Sequence, residues 1–361
     1  MGVHSTEART GAMRQQGSSG YVIVRRILLT AAVCLMSTPF VSPAHAAVLP
    51  TWLAPVNISS PSRGFFFDPQ VAVDAHGEAV AVWGRWDSVR ASNVVEASAR
   101  VPGAEWQSPV DLSLSGEEAS APRVAIDAQG DAVVVWRQSN ADSGQSAESA
   151  FRPAGGNWQG PDQVSGASAG ALDVSAAISA RGEAVAVWDS GGVVQTATRA
   201  PDGGWQAPVD VSAAGETALV PEVVMDSRGA TVVVWQGEGL GGSVQAAARA
   251  PSGAWQSTAT ISGRGTSEPH VGIDEDGEAV AVWEVNSGFV QAATLPAEGV
   301  WEAPVRLSRA AQVAAYSQVA MDARGDAVAI WYDESQGPHM TGEGYVVESA
   351  ERPAGGAWQS P

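Results

Sequence analysis

The chain has 361 residues, 45% of them apolar, and a formal net charge of -19 from 39 acidic and 20 basic residues. So acidic a chain is a poor match for nucleic acid or an anionic membrane surface, which leaves neutral or cationic partners. The one cysteine, Cys34, lies near the N-terminus, so no disulfide framework can organise the fold.

Residues 1–46 read as an export signal. Arg25 and Arg26 precede an apolar run from Ile27 to Met36, and Ala44-His45-Ala46 follows as a small-x-small cleavage triplet, with the cut after Ala46. The run is too short to span a bilayer. A secreted, extracellular or cell-envelope protein without a membrane span in its mature form is therefore expected, as residues 47–361 forming one domain.

That domain is a repeat. Asp74 to Trp83 recurs at Asp127 to Trp136, Ser179 to Trp188, Asp226 to Trp235, Asp274 to Trp283 and Asp322 to Trp331. Each copy holds four apolar segments; in the first they are Gln70 to Asp74, Glu78 to Trp83, Val94 to Arg100 and Trp106 to Ser113. Their Val, Ala, Ile and Trp content and their lengths predict strands. Asp-Ala-x-Gly suits a tight turn between the first two, because Asp bonds its own downstream backbone and Gly tolerates positive φ. The turn Gly lies six residues before the inner Trp in all six copies (Gly77 to Trp83, Gly325 to Trp331), and the third strand ends six residues before a second, outer Trp. Six such units, at about 69–113, 122–165, 174–212, 221–262, 269–308 and 317–361, predict an all-β, six-bladed β-propeller of four-stranded antiparallel blades. Both faces of the second strand are apolar, so every blade must be covered on both sides.

Trp52 to Ser59 repeats the fourth-strand pattern of Trp106 to Ser113 without the three strands before it. The expectation is that this N-terminal strand, 52–59, closes the last blade. One conflict stands against it: Trp358-Gln359-Ser360-Pro361 carries the same Trp-x-x-Pro start and competes for the same place.

Pro69 to Trp83, with Val94 to Arg100, resembles the NHL-repeat type of propeller unit, in which Pro-x-x-Val-Ala-Val-Asp-x-x-Gly leads into an apolar strand. The units are also similar to Asp-box propellers of the sialidase type, although Asp and Gly stand three apart here. Both resemblances imply fold rather than function.

Residues repeated in every copy serve the architecture; a site should break the pattern. The Arg that ends most third strands is expected to pack on a Trp or pair with an acid. The connection from inner Trp to the end of strand three varies most, at 17, 16, 11, 14, 12 and 21 residues, and in a closed ring the three long ones are neighbours. On that rim, a ligand site is predicted from Phe65, Phe66 and Phe67, then Arg85, Trp86, Asp87, Arg137, Tyr332, Asp333, Glu334 and His339. Aromatic rings beside carboxylates and Arg suit a glycan, peptide or protein. No phosphate loop, paired metal-binding His or cysteine cluster is present, so no catalytic residue, cofactor or metal is assigned. Ca²⁺ is the one ion the acids could hold, without a regular ligand spacing. The leading expectation is a monomeric, non-enzymatic binding propeller. A glycoside hydrolase of the sialidase type, using Tyr332 with Glu334, Arg85 and Arg137, is the alternative, and a purely structural envelope protein the third.

Overall fold

The computed structural model describes residues 54–60, 64–114, 116–140, 144–166, 170–213, 217–237, 242–286, 288–297, 299–309, 313–333 and 346–359. The signal segment, its cut at Ala46, and the site residues Glu334 and His339 lie outside the described residues. Residues Val56–Pro361 form one unit. No described residue is in a helix, and no helix here is long and apolar enough to cross a membrane.

Six antiparallel sheets follow one another in chain order, each a meander, in a propeller-like stack. Blade 1 consists of Phe66–Val73, Ala79–Asp87, Ser92–Arg100 and Val110–Asp111. The other blades start at Glu118, Ala171, Ala218, Thr266 and Ala314. First strands of successive blades lie against one another, which puts them on the inside of the stack.

The turn chemistry holds in detail. Asp74 Oδ1 accepts from the His76 and Glu78 amides at 2.9 and 2.7 Å, and Asp127, Asp226, Asp274 and Asp322 repeat the pair. The turn glycine has φ between +76 and +101° in all six blades, where a side chain would be strained.

First strands begin earlier than their periodicity predicts, because they run through a bulge. Asp68, Ala121, Asp173, Val220, Glu268 and Tyr316 occupy one equivalent position with φ of 44–54°, and the register shifts there. In four blades the next residue is proline (Pro69, Pro122, Pro221, Pro269), which has no amide to give to a ladder. The bulge absorbs it, so Phe66 and Phe67 become strand rather than loop. Second strands likewise pass the inner Trp; in blade 1 they reach Asp87.

Five apolar clusters join the six blades, one per consecutive pair. Val80 and Val82 of blade 1 pack against Ala132, Val134 and Trp136 of blade 2, and the same match of branched forward face to small-plus-Trp backward face recurs. All six inner Trp residues are buried. Burying a large apolar side chain contributes ~1.5–3 kcal/mol, so these rings dominate the seams.

Between blades 6 and 1 the described residues form no such cluster. The sheet of blade 6 has three strands, Ala314–Met321, Ala327–Asp333 and Val346–Arg352. Of the closing strand expected at 52–59, the described part forms none: residues 54–60 contain no strand, and Asn57 Oδ1 instead accepts from the Ser59 amide and hydroxyl. The physical reason is already visible in the complete blades. Four of the five fourth strands pair over two residues each, so little backbone bonding holds one that is not tethered to its own third strand. Trp358 also fills the outer-Trp place of blade 6 itself, with the Gln359 amide donating to Glu351 O as Gln107 does to Ala99 O.

Candidate functional site

The described residues of the predicted rim site lie on blades 1, 2 and 6. Phe66 and Phe67 pair with Arg85 and Gly84, and the Trp86 amide donates to Phe65 O at 2.9 Å, so the Phe run does meet the Arg-Trp-Asp segment. Phe67 lies directly over Gly84, where any Cβ would collide with the ring. The charged members are not available to a ligand, however. Arg85 is buried and donates to Glu96 Oε1 at 2.7 Å and Asp111 Oδ1 at 3.1 Å; Asp87 is buried and takes the Arg90 guanidinium at 2.6 Å. Arg137 is half-buried on Ser120 Oγ. Tyr332 stands edge-on to Tyr316, with centroids 6.2 Å apart, and Asp333 is buried. These last two belong to blade 6, and among the described residues no apolar cluster joins blade 6 to blade 1.

Cavities among the described residues include three along the blade seams. The seam of blades 1 and 2 holds about 340 Å³ between Ala97, Gln107 and Asp111 on one side and Arg152, Gly156 and Trp158 on the other. The seam of blades 5 and 6 holds about 640 Å³ between the equivalent Ala292, Glu302 and Arg306, and Arg352, Gly356 and Trp358. Each therefore has one wall from strands three and four of the earlier blade. The other wall is the outer Trp and the Gly-rich turn of the later one.

An ion pair crosses the seam at each of these pockets, and its Arg lines the cavity. Arg152 Nη1 meets Glu78 Oε1 at 2.7 Å and Arg352 Nη1 meets Glu278 Oε1 at 2.6 Å; Arg249 and Glu183 repeat the bridge at 2.5 Å between blades 3 and 4. Blades 4 and 5 carry Ala230 and Leu295 at these two positions, and there the seam opens into the third cavity, about 460 Å³.

The outer indole is bonded differently from seam to seam. Between blades 2 and 3, Trp205 Nε1 donates to Ser149 Oγ at 2.7 Å. The residue equivalent to Ser149 is Ala97 in the first pocket and Ala292 in the second. There the indole has no hydroxyl to bond, and Trp358 Nε1 is buried without a partner. The ring is half-exposed in both. A half-exposed flat apolar face with a nearby carboxamide or carboxylate suits a polyhydroxylated ring.

A second polar region, missed by sequence reasoning, lies on the inner strands of blades 4 to 6. His270 Nδ1 meets Glu222 Oε2 at 2.7 Å across the seam. Burial pulls the His270 imidazole down, but the Glu222 bond and the nearby Glu268 and Glu284 outweigh it, and its pKa is raised. Burial and Glu268 also raise the Glu284 carboxyl. In blade 2, burial, reinforced by Glu117, pushes Glu148 up to about 7. Spacing could have flagged Glu148: it faces the inner Trp at the position held by Glu96, Gln195, Gln245, Gln291 and Glu348. Among the described residues no group of three or more His, Cys, Asp or Glu could hold a metal ion.

Neither a protein-family profile nor a curated protein matches the chain. Among solved structures, the BP39L lectin from Burkholderia pseudomallei superposes with a TM-score of 0.61 at 17% identity, over 86% of each chain. A Hadza microbial sialidase matches at 0.46 (13% identity, 75% of this chain and 63% of that one). A fucose-specific lectin from Aleuria aurantia matches at 0.43 (11% identity, 78% and 95%). The first likeness supports the propeller-like fold; the other two are too distant to add to it.

Proposed function

We propose that this chain is an exported, non-enzymatic glycan-binding protein that holds neutral sugar rings in its seam pockets. The observation that carries the reading is the recurrence of one pocket at two seams, each where Ala replaces the serine that would occupy the outer indole. The sugar's apolar face stacks on Trp158 or Trp358, and its hydroxyls bond Gln107 or Glu302. The name of the like-folded Burkholderia protein points the same way. Sialic acid fits less well: its carboxylate needs an uncommitted Arg, whereas Arg85 already serves Glu96 and Asp111, and the overall charge is -19.

Calorimetric titration with neutral oligosaccharides chosen from a glycan array tests this. Trp158→Ala and Trp358→Ala should each remove one class of site, and the double variant should lose at least tenfold in affinity. Trp86→Ala on the rim should change nothing. Undiminished binding by the double variant, with its circular dichroism unaltered, would remove the seam pockets from consideration. Hydrolysis of a fluorogenic sialoside, abolished by Tyr332→Phe, would put the sialidase reading in their place.

A further inference from the structure

The free face of blade 6 is uncovered in a way no other forward face is. Val347 is 72% exposed, whereas its equivalents Val95, Ala147, Val194, Val244 and Val290 are at 0–1%. Val328 and Ile330 are 42% and 40% exposed, against 0% for Val80 and Val82. In each complete blade the backbone of that third-strand residue is also used twice. Its amide donates to a serine hydroxyl at 2.7–3.1 Å (Ser113, Ser165, Ser212, Ser262, Ser308), and its carbonyl accepts from the fourth strand. On the opposite side of the stack, Val71 and Val73 of blade 1 are 64% and 58% exposed, although Trp83 on the same face is buried.

The seams carry a charge rule that both free faces obey. The residue after the turn glycine in one blade faces the end of strand three in the next. The pairs are Glu78 with Arg152, Glu183 with Arg249 and Glu278 with Arg352, and where the acid becomes Ala230 the Arg becomes Leu295. Asp131 fits too, acting on Arg199 through space. Two residues remain without a seam partner: Asp326 at the end of the stack, and Arg100 at its start, whose Nε is buried with no hydrogen-bond partner. Strand supply is unmatched in the same sense. Trp358 already holds the outer-Trp place of blade 6, so the second Trp-x-x-Pro segment, Trp52 to Ser59, has the pattern of a fourth strand for a different blade. Six residues lie between Ser59 and Phe66, close to the four between Ser113 and Glu118 where one blade hands over to the next.

We infer that the two free faces accept a seventh blade. Its chemistry is specified by the seams: an antiparallel sheet with an Arg ending its third strand to meet Asp326 and an acid after its turn glycine to meet Arg100. Its forward face covers Val71 and Val73, and its Ala-x-Ala-x-Trp face covers Val328 and Ile330.

The probe is the chain with a second copy of its own residues 162–204 joined after Pro361. That copy brings a fourth strand for blade 6 and three strands for a seventh blade, with Arg199 and Glu183 of the copy placed for Asp326 and Arg100. Hydrogen exchange should slow at least a hundredfold at Val328, Ile330 and Val347, and also at Val71 and Val73, with a higher Tm. Asp326→Arg should reverse the gain, and Arg199→Asp in the appended copy should restore it. The inference fails if these amides exchange as in the unextended chain. It also fails if the unextended chain already protects them and the Asp326→Arg, Arg100→Asp double variant restores what each single loses, since the faces would then meet within one chain. Concentration-dependent dimers by sedimentation would assign the faces to a second copy and overturn it too.

Discussion

Glu148 shows how one position can be neutral by sequence in some blades and by titration in another. Blades 3, 4 and 5 place Gln opposite the inner Trp, and in each the amide oxygen accepts the indole N–H. Blade 2 has Glu148 there, while Trp136 Nε1 turns to Gln138. With its folded pKa raised from 4.5 to about 7, the Glu148 contribution is fully present below pH 4.5 and is lost as pH rises through 7. His270, also raised, acts in the same direction: its bonded cation stabilises below pH 6.5, and the gain fades above that. Thermal unfolding should therefore show a higher Tm at pH 5 than at pH 8, and Glu148→Gln should recover on the order of 2 kcal/mol at pH 8 with little effect at pH 5. An equal shift at both values would mean that Glu148 is not protonated in the fold. The turn glycines make a simpler case. Gly277→Ala at φ +87° should cost about 1 kcal/mol in urea denaturation, whereas Gly204→Ala, with a negative φ and open space around it, should cost little.

At the scale of strands and seams, the Arg–acid bridge is best read through its replacement. Arg249 is nearly buried, so Arg249→Leu alone leaves Glu183 unpaired at the seam and should cost about 3 kcal/mol. The pair Arg249→Leu with Glu183→Ala copies what blades 4 and 5 carry at Leu295 and Ala230, and should return most of that loss. A denaturant double-mutant cycle reads the coupling, and additive losses would dismiss it. This seam explains why so much was legible and where legibility stopped. Trp spacing and two-faced apolar strands predict six stacked meanders, because side-chain period and burial are local demands. The surroundings of Arg85 and Asp87 were not legible, because the strands were taken to end at Trp83 and to begin after Phe67. The bulge at Asp68 and the register of Arg85 against Phe66 depend on how a proline is accommodated in a paired strand, which no apolar pattern reveals. Arg85 and Asp87 thus looked like loop charges and proved to be buried partners of Glu96, Asp111 and Arg90.

Across the whole molecule, stability should grade along the stack, since each blade leans on its neighbours. Blade 6 has one covered face and three strands; blade 3 has two covered faces and four. Native-state hydrogen exchange should accordingly rank the blade 3 core slowest and blade 6 fastest. Trp188→Ala should cost about 3–5 kcal/mol globally, whereas Trp331→Ala should mainly loosen the final seam. Uniform protection through all six blades would contradict a stack with a free end. The blade count, the turn chemistry and the hidden indoles follow from residue order, because hydrogen bonding and burial over a few residues admit one solution repeated six times. Where the cavities lie was settled in three dimensions. Ala97 differs from Ser149 by one hydroxyl, and that matters only because folding sets an indole from the next blade against it. The open seam is of the same kind: two ends can carry matching patterns, yet whether they meet depends on the accumulated rotation of five interfaces, a quantity no single segment encodes.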